Sequence, residues 1–163
     1  MRLWVVRHGC AGQKEDWRGE DADRPLDPVG LSQATALAPL LAGEMTALQS
    51  SPTKRCIDTL APLSATTGIP IETDRRLGTQ QRGLASLINE GSVGGAVLCT
   101  HGEVMQPALY ALRAQGLRCD LTDEELLMKG AAWDLTQEPD GTWTLDLLAP
   151  MPRLTCPNHR MTI

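Results

Sequence analysis

No apolar run in this 163-residue chain approaches the roughly 20 residues that a membrane-spanning helix needs. Met1 leads directly into a short apolar stretch at 3–6, with neither the apolar core nor the cleavage site of a secretory signal, so a cytoplasmic protein without a membrane partner is expected. Cysteine is too sparse and irregular for a disulfide framework. The five residues (Cys10, Cys56, Cys99, Cys119 and Cys156) are odd in number, which agrees with a reducing compartment. None of them is followed by Arg at the sixth position, so the loop of cysteine phosphatases is absent. No Gly-x-x-x-x-Gly-Lys occurs either, which excludes a P-loop. Excess positive charge is missing too: a net charge of −5 argues against a nucleic-acid or anionic-membrane binder. Phe is absent and the basic residues are twelve Arg to three Lys, a bias of coding and not of function.

What is present is an ordinary globule, with 42% apolar and 21% charged residues and the length of one domain, 1–163. Three segments repeat one pattern. Leu3 to Val6 read as a buried strand that ends in Arg7-His8-Gly9. Residues 45–50 read as a second strand, followed by Ser51-Pro52-Thr53-Lys54-Arg55. There Ser51 suits an N-cap and Pro52 the first helical position. Residues 94–100 read as a third strand ending in His101-Gly102. In an open α/β sheet, ligands bind at the carboxyl ends of the strands. If the three strands are parallel neighbours, Arg7, His8, Arg55 and His101 converge on one pocket. Two guanidinium forks match phosphoryl oxygens, and an imidazole nitrogen can attack phosphorus.

Elements alternate along the chain. Strand 2–7 gives way to a polar loop, 10–25, holding Trp17. A helix then opens at Asp27-Pro28, with Leu31, Ala34, Leu37, Ala38 and Leu41 at helical spacing. Helices are expected over 52–66, about 79–89, 103–115 and 122–127, with a short strand at 69–72. A hairpin of 130–136 and 142–148 is expected through Glu138-Pro139-Asp140-Gly141. The tail 150–163 reads as irregular. The pattern specifies a three-layer α/β/α sandwich on a mostly parallel central sheet.

With these residues in place, the chain resembles the histidine phosphatase superfamily, of phosphoglycerate mutase-like fold, and most of all its SixA-type phosphohistidine phosphatases. The resemblance rests on Val5-Val6-Arg7-His8-Gly9, Arg24-Pro25-Leu26 before Gly30, Ser51-Pro52 through Arg55 and Thr59, and Val97 to His101. The segment Lys129-Gly130-Ala131-Ala132-Trp133 also resembles the phosphatase-like domains fused to some Nudix hydrolases. The resemblance implies a metal-independent enzyme without a cofactor. His8 is its nucleophile, Arg7 and Arg55 bind the phosphoryl group, and His101 is the second pocket histidine. A phosphohistidine forms and water hydrolyses it. Arg24 either reaches the edge of the pocket or braces loop 10–25 through a salt bridge.

One family feature is missing. Mutases and many ester phosphatases carry an acidic group shortly after the third strand, where this chain reads Arg75-Arg76-Leu77-Gly78-Thr79-Gln80-Gln81. An alkoxide leaving group needs a proton donor, worth about 10²–10⁴-fold. The gap favours a phosphoramidate or an anhydride, with a phosphohistidine protein as the first expectation and a small phosphorylated metabolite or nucleotide as the alternative. Glu103 is a substitute acid, or else a first-turn glutamate favoured by the helix dipole. Two other readings compete. His8-Gly9-Cys10 and Cys99-Thr100-His101 offer zinc ligands, but Arg7 and Arg55 would set positive charge beside the cation. A phosphate-binding regulatory domain would use the same fold without turnover.

Overall fold

The computed structural model describes residues 1–150 and Cys156. Its six strands are β1 (Arg2–Arg7), β2 (Ala47–Ser50), β3 (Ile71–Thr73), β4 (Ala96–Thr100), β5 (Ala132–Gln137) and β6 (Trp143–Leu148), in the order β3-β2-β4-β1-β5-β6. The first four in that order run parallel; β5 and β6 are antiparallel and close the sheet as the expected hairpin.

β1 is apolar at four consecutive positions because both faces of the sheet are covered. Leu3 and Val5 face a core made with α3 (Leu84–Glu90), α4 (Gly102–Ala114) and α5 (Asp123–Leu126). Trp4 and Val6 face the opposite core, made with α1 (Pro28–Leu41) and α2 (Lys54–Thr67). The three-layer α/β/α arrangement follows directly from this alternation. α1 starts where Asp27 caps it, its carboxylate accepting the Gly30 N–H at 2.8 Å, with Pro28 at the first helical position. Gly30 is required at this point, since a Cβ there would lie 2.0 Å from the Cys10 carbonyl oxygen.

β2, β3, β4 and β5 each begin two residues later than expected from the sequence, and two helix starts differ as well. α2 begins at Lys54 behind an N-cap at Thr53, because the Ser51 hydroxyl is spent on His101 (2.9 Å) and not on the helix. The helix expected from about 79 shortens to α3 because residues 79–81 form a turn and Arg82 takes a left-handed φ of 48°, which a right-handed helix cannot include. The expected irregular tail lies outside the described residues, apart from Pro150 and Cys156.

The cysteine reading needs correction. Cys10 is buried, but as half of a disulfide with Cys156, with Cα atoms 5.5 Å apart across 146 residues of sequence. Spacing along the chain carries no signal for a pair brought together by the fold. With the disulfide formed, the cysteines give no support to a reducing compartment. Cys56, Cys99 and Cys119 are free.

Thiol titration of the denatured chain is expected to find the three free thiols before reduction and all five after it. Reduction is expected to lower Tm, the chain-entropy contribution of so long a loop being about 5 kcal/mol at most.

Candidate active site

The site is built by strand register. Arg7 pairs with Thr100 between β1 and β4, and Ser50 with Cys99 between β2 and β4, so three parallel strands end side by side. The residues that follow, His8, Ser51 and His101, leave the sheet together. The His8 N–H donates to the Thr100 carbonyl at 3.1 Å and the Ser51 N–H to the Cys99 carbonyl at 2.9 Å. The two imidazoles lie 5.2 Å apart, centroid to centroid, with planes at 67°.

His8 is held in one orientation. Its Nδ1 lies 2.7 Å from the Gly9 carbonyl, which can only accept, so Nδ1 carries the proton and Nε2 keeps its lone pair. Burial first, then His101, Arg55 and Arg7 hold the His8 pKa well below the ordinary value of 6.5, although the Gly9 bond opposes them. Gly9 is needed here for close approach, not for a left-handed turn: a Cβ would meet the Gly30 carbonyl oxygen at 3.0 Å and Gln33 Oε1 at 3.1 Å. Its N–H donates to Thr59, whose hydroxyl donates to the Arg55 carbonyl, tying the loop to α2.

The cations surround the imidazoles in a cavity of about 420 Å³, lined by Arg7, Arg24, Arg55 and Lys129 together with Glu103 and Gln106. Arg7 is anchored through Nη1 to the Leu127 carbonyl, and its Nε is buried without a partner. Burial lowers the Arg7 pKa while Glu103 opposes that shift. Arg55, two residues into α2, donates to the backbone carbonyl of Asp21 at 2.8 Å and to its carboxylate at 3.0 Å. His101 engages Ser51 through Nε2, and Cys56 Sγ lies 3.7 Å from the same nitrogen. α4 starts directly after His101 and α2 close to Arg55, so both present free N–H groups at the cavity end of the sheet.

All the residues singled out as the pocket in the sequence come together: Arg7, His8, Arg55 and His101, with Arg24 and Glu103 on the same wall. Arg24 does both things considered for it, lining the cavity and bracing the loop through Asp21 (3.1 Å) and the Ala11 carbonyl (2.8 Å). Sequence reasoning missed three groups. Asp21 lies unmarked in the polar loop 10–25, Ser51 reads as a cap, and Lys129 stands out only within its segment. None carries a local signal, because each acts on a residue more than thirty positions away or on the cavity itself. Other loop side chains are engaged elsewhere. Arg76 pairs with Asp74 and Glu90 in solvent, and Arg82 bonds the Thr79 carbonyl. Trp17 donates to the Glu20 carbonyl at 2.9 Å and anchors its own loop. His159 lies outside the described residues. Cys10 is in the disulfide and is no zinc thiolate; no group of three or more His, Cys, Asp or Glu among the described residues is placed to hold a metal ion.

A Cβ on Gly102 would lie 2.7 Å from Arg7 Cζ, so only glycine admits the guanidinium at this position. Gly102→Ala is expected to displace Arg7 and weaken binding of inorganic phosphate about 10- to 150-fold in calorimetry, the equivalent of one charged hydrogen bond of ~1.5–3 kcal/mol.

Comparison with known proteins agrees with this geometry. Over 156 residues the chain is 31% identical to an 8-oxo-(d)GTP phosphatase of Mycolicibacterium smegmatis, covering 90% of this chain and 47% of that protein. The chain therefore spans about half the length of the curated relative it matches. Its fold matches the protein histidine phosphatase SixA complexed with tungstate, at a TM-score of 0.71 and 20% identity over 92% of this chain and 97% of the other. It also matches a mycobacterial glucosyl-3-phosphoglycerate phosphatase, at a TM-score of 0.64 and 19% identity over 91% and 98%. No described helix is long and apolar enough to cross a membrane. The family model of the histidine phosphatase superfamily (branch 1) matches residues 3–84, the half of the chain that carries His8 and Arg55, and the chain belongs to that superfamily of phosphatases.

Proposed function

We propose that the chain is a phosphatase that works through a phosphohistidine at His8, on leaving groups that depend little on a proton donor. The observation that carries this reading is the fixed tautomer of His8: Nδ1–H is tied to the Gly9 carbonyl, so the lone pair of Nε2 is available for attack in a residue that lines a cationic cavity. Arg7 and Arg55 bind the phosphoryl oxygens and offset their charge as the bond to Nε2 forms, with His101 adding a further donor. The leaving group departs with the bonding pair. Water then attacks phosphorus and releases inorganic phosphate, and the proton passes to solvent.

The choice of leaving group rests on which carboxylates line the cavity. Arg75–Leu77 supplies no carboxylate to the cavity, and Arg76 is turned to Asp74 and Glu90. Glu103 is the only carboxylate among the lining residues of the described structure, and its charge is set beside Arg7. Phosphoramidates and phosphoanhydrides fit a pocket equipped in this way better than sugar esters do. A phosphohistidine protein is the substrate favoured by the likeness to SixA; a nucleotide anhydride is favoured by the 31% identity to a relative named for 8-oxo-(d)GTP.

The test is turnover of a histidine-phosphorylated phosphocarrier protein, a nucleoside diphosphate and a panel of phosphate esters, with acid-labile phosphate on the chain assayed in parallel. Release from the first or second, lost in His8→Ala together with the labelled intermediate, is the expected result. Faster release from esters, abolished by Glu103→Gln, would refute the leaving-group assignment and make Glu103 the acid. Because the pKa of His8 is lowered, its neutral form persists as pH falls below 6.5, and the acid limb of kcat/KM is expected well below that value. Stability has the same sign: the unfolded chain protonates His8 at about 6.5 and the folded chain does not, so this residue's contribution is whole above pH 6.5 and is lost as pH falls towards the folded value.

A further inference from the structure

We propose that Lys129, beside Arg24, is a second anion subsite that selects substrates whose leaving group is itself a phosphate, which makes the chain a phosphoanhydride hydrolase. This rests on the reading of His8 as nucleophile and narrows it.

Lys129 stands in the connection between α5 and β5 and lines the same cavity as Arg7, His8, Arg55 and His101. It is half-buried, whereas Lys54 is exposed and paired with Asp58. No carboxylate among the described residues pairs with its ammonium. Of the nearby acids, Asp21 is committed to Arg55 and Arg24, Glu103 on the same cavity acts on Arg7, and Asp27 accepts from the N–H groups of Gly30 and Gly12, its charge reaching Lys129 without an ion pair. A half-buried cation among three arginines is costly unless an anion arrives. Burial, followed by Arg7 and Arg24, lowers the Lys129 pKa, as this crowding requires.

One phosphoryl group does not account for the arrangement. Arg7, Arg55 and His101 already surround the position in front of His8, and a cavity of about 420 Å³ is of the size that holds a small molecule. A phosphate on the leaving side fills the remaining space and gives Lys129 its counter-ion. It also removes the need for the missing acid. When His8 Nε2 bonds to the terminal phosphorus, the bridging P–O bond breaks and its pair stays on the departing phosphate oxygen. That oxygen leaves as an oxyanion held by Lys129, with no proton transfer. Water then cleaves the phosphohistidine to inorganic phosphate and His8. A protein phosphohistidine has an uncharged imidazole in that place and gains nothing from Lys129.

The test uses the whole chain with two pairs of probes. In calorimetry, pyrophosphate is expected to bind at least about tenfold more tightly than orthophosphate, as one extra charged contact requires. Lys129→Ala should erase that margin and Lys129→Arg retain it. In turnover, the ratio of kcat/KM for a nucleoside diphosphate to that for phosphoimidazole should fall about 10- to 100-fold in Lys129→Ala and recover in Lys129→Arg. Equal affinity for the two anions, or an unchanged ratio, overturns the subsite. Failure of the underlying reading looks different: turnover that survives His8→Ala, or neither probe hydrolysed and no acid-labile phosphate on the chain. Even then, the pyrophosphate margin and its response to Lys129→Ala decide the subsite independently.

Discussion

The parallel pairing of β1 with β4 is the constraint on which the site depends. It sets Arg7 opposite Thr100, and the next residue on each strand is a histidine. A slip of one residue would turn every side chain of β1 to the other face. That slip is resisted because Leu3 and Val5 are fitted to one core and Trp4 and Val6 to the other. The geometry of the pocket is thus maintained by hydrophobic packing well away from it. β2 joins the same register through Ser50 and Cys99, which delivers Ser51 to His101.

Gathering three arginines and a lysine around two buried imidazoles is electrostatically adverse, and the fold compensates locally. Arg7 is tied to a backbone carbonyl, Arg24 to two, and Arg55 to both the carbonyl and the carboxylate of Asp21. Asp21 serves Arg24 and Arg55 together, so loop 10–25 is an electrostatic part of the site and not merely its rim. Among the described residues, the unpartnered Nε groups of Arg7 and Arg55 and the absence of an ion pair at Lys129 mark where compensation stops. Those are the groups left for an anionic ligand. The same field acts on His8 as well, since it disfavours the imidazolium and keeps the ring neutral.

The four pocket residues were legible in the sequence because each follows an apolar run that reads as a strand, and strand ends are where such sheets bind ligands. The sheet, its hairpin and α1 were legible for the same reason: apolar spacing and a Pro28 behind Asp27 are local signals. Starts of helices were less so. Ser51 and Pro52 carry every local mark of a helix start, yet the hydroxyl has a better partner in His101 across the sheet, and the helix waits for Thr53. Cys10 and Cys156, 146 residues apart, show the limit most plainly, since no local pattern encodes a contact of that range.

The sequence by itself determined the layers of the fold, the residues that meet in the pocket and the family to which the chain belongs, because periodicity and short motifs are properties of neighbouring residues. Only the tertiary structure decided which charges are answered and which are not. It showed Asp21 spent on two arginines, Arg76 turned away to solvent, the His8 tautomer locked by its neighbour's carbonyl, and Lys129 brought into the cavity with no ion pair among the described residues. The physical reason is that pairing and desolvation depend on distance in space, and these distances are set by segments far apart along the chain.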